Sequence, residues 1–377
     1  MIKYIAQLFY RKRLSLILQL IASIKNAYLS NIGYYIITYL FRLIVGKGLL
    51  LYVKLDVTEQ CNRKCDYCYS KRRNIEPSFD DITKLFSTFN GRIGRLDLLG
   101  GEPMLRSDIY EIIKAAKEIG RVRSIALFTN GTLVNEETAV KLKSAGVDAV
   151  IVSLYSNNAS MQDTISAYTG TFDMKIIGIK ALVCAEIPTY TFTVITKHNV
   201  DHVESIITFV ESLGAQSLFF NQIPRDKKAL DIQLSAEEVY KIKALLNRLK
   251  PQHMMNVYNI YKLWGRSRIG GYMLVSVKVD GAVTYSPFVF DDAILGNAFK
   301  ENIFEIFKRR FAVKDFKNIY ESPQECLSCS CVHYCRGAEK AGNKIVYDDY
   351  NRKCFFCLGP WHNKAIENLA DCIPYWY

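Results

Sequence analysis

Short apolar runs alternate with longer amphipathic stretches through the middle of the chain. From Leu50 onward the short runs are rich in β-branched residues, and the stretches between them repeat apolar positions every three or four residues. This alternation is typical of βα units repeated around a parallel sheet. Six strands are predicted, at 51–57, 95–99, 124–129, 149–154, 191–196 and 217–220. The sequence therefore predicts an α/β fold built as a partial (β/α)6 TIM-like barrel.

Helices are predicted between these strands, and the rhythm changes after them. The predicted helices are 80–89, 107–119, 136–144, 173–184 and 203–213, followed by 235–250. Pro251 ends the last one, and beyond it two alternating runs flank Asp280-Gly281, which indicates a β-hairpin. We predict three domains: an N-terminal helical arm (1–48), the barrel (49–250) and a small cysteine-rich C-terminal iron–sulfur domain (251–377).

The charge of the chain is concentrated in the arm. Residues 1–50 contain seven Lys or Arg and no Asp or Glu, which is more than half of the net charge of +12. A basic and apolar arm suits an anionic membrane surface better than nucleic acid, so no nucleic-acid partner is expected. Its longest uncharged stretch, 26–41, is shorter than the roughly 20 apolar residues of a spanning helix. The alternatives are peripheral membrane contact, packing on the barrel, or dimerisation.

Cysteines form the second compositional signal. Ten of the eleven cysteines lie in two groups in a long chain, which favours metal binding over disulfides and indicates a reducing, cytoplasmic location. The first group, Cys61, Cys65 and Cys68, directly follows the first strand. Three thiolates on one loop can hold three corners of an iron–sulfur cluster and leave one iron open, whereas structural zinc normally takes four protein ligands.

This loop resembles the signature of the radical S-adenosylmethionine (SAM) superfamily, Cys-x3-Cys-x2-Cys with an aromatic residue, here Tyr67, before the last cysteine. The resemblance implies a [4Fe-4S] cluster whose open iron binds the methionine moiety of SAM. It also implies reductive cleavage of SAM to a 5′-deoxyadenosyl radical that abstracts hydrogen from a substrate. The alternatives are chance spacing or a zinc loop.

Two turns after the next strands strengthen the resemblance. Gly100-Gly101-Glu102-Pro103 resembles the GGEP motif, whose backbone and Glu hold the amino group of SAM in the family, and Thr129-Asn130 begin a turn like the TNG motif. Glycine permits close backbone approach and a carboxylate complements an ammonium. Ser153 is a contact for the methionine carboxylate or ribose, or a polar strand end that satisfies its own backbone. Tyr155 stands where the family commonly has Asp.

The C-terminal cysteines resemble the SPASM extension of peptide and sulfatase maturases, which usually holds two auxiliary clusters. Cys326, Cys329, Cys335 and Cys354 match the ligands of the outer cluster. Positions for the inner cluster do not hold cysteine, since Ser286 and Glu339 stand there and no cysteine occurs between 185 and 325. The resemblance therefore implies one auxiliary [4Fe-4S] cluster. Cys357 in place of Cys354, or a zinc knot, are the alternatives.

The leading hypothesis is a radical SAM enzyme that forms a crosslink, a thioether or an epimerised residue in a peptide or protein. Flavodoxin or ferredoxin is the expected electron donor. The second hypothesis is radical modification of a lipid, isoprenoid or lipid-linked sugar by an enzyme docked through residues 1–48. A non-enzymatic iron–sulfur or zinc scaffold is the third. No catalytic side chain is assigned by the sequence.

Overall fold

The computed structural model describes residues 52–65, 68, 75–221, 231–249, 258–259, 274–284, 294–309, 322–328, 343, 346–349 and 351–352. All of them belong to one compact unit, Leu50–Ser328 with Val332–Leu358. The predicted arm, 1–48, lies outside the described residues. No helix in the described ranges is long and apolar enough to cross a membrane.

Strands and helices alternate through the barrel region as predicted. In chain order the elements are β1 (Tyr52–Asp56), α1 (Phe79–Phe89), β2 (Arg95–Leu99), α2 (Ile109–Glu118), β3 (Ser124–Thr129), α3 (Glu136–Ala145), β4 (Ala149–Ser153), α4 (Ala159–Ser166), α5 (Thr171–Cys184), β5 (Thr189–Ile195), α6 (Val203–Ser212), β6 (Gln216–Asn221) and α7 (Ala236–Leu249). Helix α4 was not predicted from the sequence, because its eight residues show no strong apolar periodicity.

The six predicted strands form the parallel part of one sheet. Strands β1 to β6 are adjacent in chain order, and each pairs with the next in parallel. Later strands extend both edges: β7 (Tyr258–Asn259) lies beside β6, and β8 (Leu274–Val277), β9 (Ala282–Thr284) and β10 (Gly296–Asn297) lie on the β1 side. The chain therefore has an α/β fold with a parallel sheet arranged as a partial barrel.

The predicted hairpin is confirmed, and it joins the barrel sheet. Strands β8 and β9 pair in antiparallel fashion around Asp280-Gly281, and β8 also pairs in parallel with β1. Helix α8 (Ile303–Arg309) follows β10 and buries Phe304 and Phe307 in the core. The sheet thus continues beyond residue 250, and the predicted division into domains at that residue stays a prediction.

The main core lies between the sheet and its helices. On β1 the side chains of Val53 and Leu55 are fully buried in this core, whereas Tyr52, Lys54 and Asp56 on alternate positions face the other side. Successive side chains of a strand point to opposite faces, so this other side is the inner face of the barrel. Because strands β1 to β6 are parallel, their carboxyl ends lie at one edge of the sheet, where ligands bind in α/β barrels.

Candidate functional site

The first cysteine loop follows β1 at this edge. Cys61, Cys65 and Cys68 are partly buried, none is in a disulfide, and the Cys68 N–H donates to the carbonyl oxygen of Cys65 at 3.2 Å. Burial raises the pKa of the Cys61 thiol to about 11, the Arg63 N–H lowers it, and Glu102 and the other two thiols raise it further. The three thiols therefore lie near one another, and metal binding must displace their protons.

Tyr67 lies outside the described residues. In the part of the chain that the structure describes, no three His, Cys, Asp or Glu side chains are arranged to hold a single metal ion.

The glycine pair after β2 packs against the start of the cysteine loop. A Cβ on Gly100 would lie 2.2 Å from the Thr58 carbonyl oxygen, and one on Gly101 would lie 2.1 Å from that of Gln60. Two hydrogen bonds of 2.7 Å, from Gly101 N–H to Thr58 and from Glu102 N–H to Gln60, join the segments. The backbone that these glycines approach closely is therefore the segment from Thr58 to Gln60 of this same chain. This contact positions the loop that carries Cys61.

Glu102 connects the second and third motifs. Its carboxylate is fully buried and accepts hydrogen bonds from Met104 N–H at 3.0 Å, from the Thr129 hydroxyl at 2.7 Å and from Asn130 N–H at 2.6 Å. Burial raises the pKa of this carboxyl group, while the three donors and the charge of Lys175 oppose the rise. The GGEP and TNG turns are therefore one hydrogen-bonded unit around a single carboxylate.

A second network joins the third motif to the cysteine loop. Asn130 Nδ2 donates to Asn62 Oδ1 at 2.7 Å, and Asn130 Oδ1 accepts from the Thr132 hydroxyl at 2.6 Å. Asn62 Nδ2 in turn donates to Thr132 Oγ1 at 3.2 Å, which closes the ring. The sequence analysis assigned no role to Asn62, although its place directly after Cys61 was a signal for such a contact.

The fourth strand ends at Ser153, where a buried lysine reaches the site. Lys175 on α5 is 1% exposed, and its ammonium donates to the Ser153 carbonyl oxygen at 2.6 Å and lies 5.1 Å from the Tyr155 ring. Burial lowers the pKa of Lys175 to about 8, although the charges of Cys65 and Glu102 raise it. Tyr155 thus lies under a cation, in the place where the family commonly has Asp. Lys175 was missed by the sequence analysis.

A second buried cation lies within the cysteine loop. The Arg63 side chain is 7% exposed, stacks 4.1 Å over the Tyr168 ring and lies 4.0 Å from Met174 Sδ. Cys65 Sγ is 3.8 Å from the Ser166 carbonyl oxygen, so the loop also rests on the end of α4. These contacts attach the cysteine loop to the segment from α4 to α5.

The second cysteine group is described at one position. Cys326 is 8% exposed, in a 3-10 turn of Gln324–Cys326, and its N–H donates to the Pro323 carbonyl oxygen at 2.9 Å. Cys329, Cys335 and Cys354 lie outside the described residues. Their assignment as auxiliary ligands stays a prediction.

The described residues fit an iron–sulfur cluster with a ligand beside it. The donor set is three neighbouring thiols on one loop, and the glycine pair leaves no room for a Cβ behind that loop. Lys175 lies within electrostatic range of Cys65, Glu102 and Cys61, and Arg63 lies in the cysteine loop itself, so two positive charges stand where a negatively charged ligand group would bind. The fold and site together are those of a barrel with a cysteine loop at the carboxyl ends of its strands.

Comparison with known proteins names this class. The family described as the radical SAM superfamily matches residues 55–210. A "Probable GTP 3′,8-cyclase" of Methanococcus maripaludis is 31% identical over 214 residues, 52% of this chain and 71% of the relative. An "AdoMet-dependent heme synthase" of Methanosarcina barkeri is 32% identical over 165 residues, 42% of this chain and 47% of the relative. The chain spans about half the length of such haem synthase relatives.

Solved structures share the fold over more of the chain. SuiB of Streptococcus suis bound to its precursor peptide SuiA has a TM-score of 0.67 at 15% identity, over 89% of this chain and 82% of that one. The protein anSMEcpe bound to AdoMet and the peptide Cp18Cys has a TM-score of 0.67 at 19% identity, over 84% and 95%.

The chain belongs to the radical SAM superfamily. The radical SAM domain at residues 55–210 implies SAM and a [4Fe-4S] cluster as its cofactors.

Proposed function

We propose that this radical SAM enzyme modifies a peptide or protein, forming a crosslink, a thioether or an epimerised residue. The supporting observation is the extent of the shared fold, since the peptide-bound structures of SuiB and anSMEcpe correspond to 84–89% of the chain. The relatives named for haem and GTP chemistry match 42–52% of it. The proposal is thus a fold-level analogy, in which the peptide-bound structures cover more of the chain than the curated relatives do.

Cys61, Cys65 and Cys68 would hold the cluster, and the other motif residues would position it and SAM. The bound cluster and SAM supply the 5′-deoxyadenosyl radical after reduction by flavodoxin or ferredoxin. Gly100 and Gly101 hold the cysteine loop against the end of β2. Glu102 joins the GGEP turn to the TNG turn through its hydrogen bonds to Thr129 and Asn130. The ammonium of Lys175 supplies positive charge beside the thiolates, at the end of β4 where Ser153 is expected to contact SAM.

The C-terminal cysteines would hold one auxiliary cluster through Cys326, Cys329, Cys335 and either Cys354 or Cys357. Burial of Cys326 suits a structural or electron-carrying group rather than a surface thiol. Two clusters predict about eight iron and eight sulfide per chain in anaerobically reconstituted protein. A double variant, Cys326→Ala with Cys335→Ala, should keep about four iron. Wild-type iron for three clusters, or for one, would contradict this assignment.

The peptide proposal is tested by substrate-dependent SAM cleavage. Reduced, reconstituted full-length enzyme is incubated with SAM and with candidate precursor peptides encoded beside its gene, and 5′-deoxyadenosine is measured with the peptide mass. We expect a peptide to increase 5′-deoxyadenosine and to lose two mass units or change configuration. Stimulation by GTP or a porphyrin precursor, with no effect of peptides, would contradict the proposal.

A second candidate substrate is a membrane lipid or lipid-linked sugar. The supporting observation is that residues 1–50 contain seven Lys or Arg and no Asp or Glu. Vesicles containing anionic lipid should bind the full chain and release it at high salt, because the attraction is electrostatic. Equal binding to neutral and anionic vesicles, or no binding, would exclude this docking.

A further inference from the structure

The inner face of the barrel has two chemically different sides. Next to β1 it carries charges, because Lys54 on β1 is in register with Asp97 on β2 and with Ser276 on β8. Next to β3 and β5 it carries aromatic rings, Phe128 and Phe192, whose centroids are 6.0 Å apart edge to face. These rings meet across the intervening strand β4, which indicates that the inner face is concave.

The charged side is almost fully paired. Arg95 Nε lies 2.7 Å from Asp97 Oδ1, and the Tyr52 hydroxyl donates to the other oxygen of Asp97. Nearer the carboxyl end of β1, Lys278 Nζ lies 3.4 Å from Asp56 Oδ2. The two carboxylates on these strands are therefore each matched with a cation other than Lys54.

Lys54 is left without an ion pair or hydrogen bond among the described residues. Its ammonium lies 5.7 Å from the centroids of both Tyr52 and Phe128, close to the outer limit for a cation–π contact. Burial lowers its pKa, and the neighbouring Asp97 opposes that shift. Ser276, its register partner, is 2% exposed, and within the described part of the chain its hydroxyl also has no hydrogen-bond partner.

We propose that Lys54 and Ser276 form a carboxylate-binding site on the inner face, next to an apolar site formed by Phe128 and Phe192. An unpaired ammonium and an unpaired buried hydroxyl are both donors, and one carboxylate satisfies both. Phe192 also packs against Tyr155, Ile165 and Val194, so the apolar side continues past the end of β4 to helix α4, on whose end the cysteine loop rests. The preferred substrate segment thus carries an apolar side chain beside a carboxylate.

This inference rests on the proposed function for its location, since it takes the inner face of the barrel as the place where the substrate lies beside the cysteine loop. In a peptide the carboxylate is an Asp or Glu side chain or the C-terminus. Both sources share the chemistry that Lys54 would recognise.

The test measures binding without turnover. The probes are 3-phenylpropionate and its neutral isostere 3-phenylpropanamide, titrated by ligand-observed NMR into reconstituted full-length protein that contains SAM. We expect the acid to bind at least about tenfold more tightly than the amide, because a charge-assisted hydrogen bond is lost in the amide. Equal affinities, or no binding of the acid in the millimolar range, would overturn the proposal.

Variants locate the site. Lys54→Met should weaken binding of the acid about tenfold and leave the amide unchanged, while Lys54→Arg should retain most of the preference. Ser276→Ala should weaken the acid by a smaller factor. Lys180→Met, an exposed cation on α5, is the matched control and should bind both probes like the wild type. An unchanged acid affinity in Lys54→Met would place the anion elsewhere and refute the assignment.

Two short peptides separate the sources of the carboxylate. One has a free C-terminus and no acidic side chain, and the other is C-terminally amidated and contains one Glu. If the wild type binds one peptide more tightly than the other and Lys54→Met loses that preference, the preferred peptide identifies the source of the carboxylate. If the wild type and Lys54→Met bind both peptides with equal affinity, the site is refuted. Formation of 5′-deoxyadenosine by the wild type is measured separately, so the proposed function and this inference can fail independently.

Discussion

The edge of the barrel at the cysteine loop and the inner face beside β1 are both rich in polar groups, but they are organised differently. At the edge, the carboxylate of Glu102 accepts three hydrogen bonds and the ring of Asn62, Asn130 and Thr132 is closed. On the inner face, Lys54 and Ser276 lack such partners within the described residues. A network in which every donor has an acceptor makes the local structure rigid. Donors that lack an acceptor are instead stabilised by a ligand that provides the acceptor.

The largest effect that sharpens this comparison is expected at the thiols. Cys61→Ala should remove the SAM-binding cluster and reduce 5′-deoxyadenosine to background, because three thiolates are the fewest that hold a four-iron cluster with one open iron. Iron analysis and chromatography measure the two outcomes. The control is Cys184→Ala, at an exposed cysteine that ends α5, which should keep the iron and activity of the wild type. Equal iron loss in both variants would contradict the assignment.

The next effect tests whether the edge is a rigid support. Gly101→Ala should destabilise the protein by about 3 kcal/mol and lower cluster occupancy, because its Cβ would lie 2.1 Å from the Gln60 carbonyl oxygen. Gly170→Ala is the matched control, with φ of +79° and no atom within 4 Å of its Cβ, and should cost about 1 kcal/mol. Urea unfolding compares them. Similar losses in the two variants would show that the glycine pair does not hold the loop.

A smaller effect is expected when the matched carboxylate is changed. Glu102→Gln places an amide donor against N–H and O–H donors, which should cost about 1–3 kcal/mol and weaken SAM binding. The exposed Glu111 on α2 provides the control, since Glu111→Gln should stay within about 0.5 kcal/mol of the wild type. Urea unfolding and equilibrium binding of SAM measure the two losses. A Glu102→Gln protein as stable as the control would show that the carboxylate does not organise the turns.

The smallest effect is expected on the inner face, and its sign differs. Lys54→Met keeps the apolar stem and removes an unpaired buried ammonium, so unfolding free energy should be unchanged or higher by up to about 1 kcal/mol at neutral pH. Because the pKa of Lys54 is lowered from 10.5, its destabilising effect is present below the folded pKa and disappears as pH rises toward 10.5. The difference between variant and wild type should shrink over that range. Destabilisation by Lys54→Met at neutral pH would show that Lys54 is already satisfied.

Much of the edge could be predicted because its information is local in the chain. The spacing of Cys61, Cys65 and Cys68 predicts a metal loop without any tertiary structure, and the strand periods place the loop after β1. The glycine pair was correctly associated with close backbone approach, but the approached segment is Thr58 to Gln60 of the chain itself. A pattern specifies that a Cβ is forbidden, whereas the identity of the neighbour depends on how two strands pack.

The sequence by itself determined the class of chemistry and the order of strands, since cysteine spacing and hydrophobic period are properties of neighbouring residues. Only the tertiary structure decided that Lys175 reaches Ser153 and that Arg63 stacks on Tyr168. It also decided that, among the described residues, Lys54 has no ion pair while Asp56 and Asp97 bind other cations. The alternating Tyr52, Lys54 and Asp56 resemble a solvent-facing strand edge in one dimension. Curvature of the sheet into a partial barrel turns that face inward, and the charges brought there from β2 and β8 decide which of them remain unmatched.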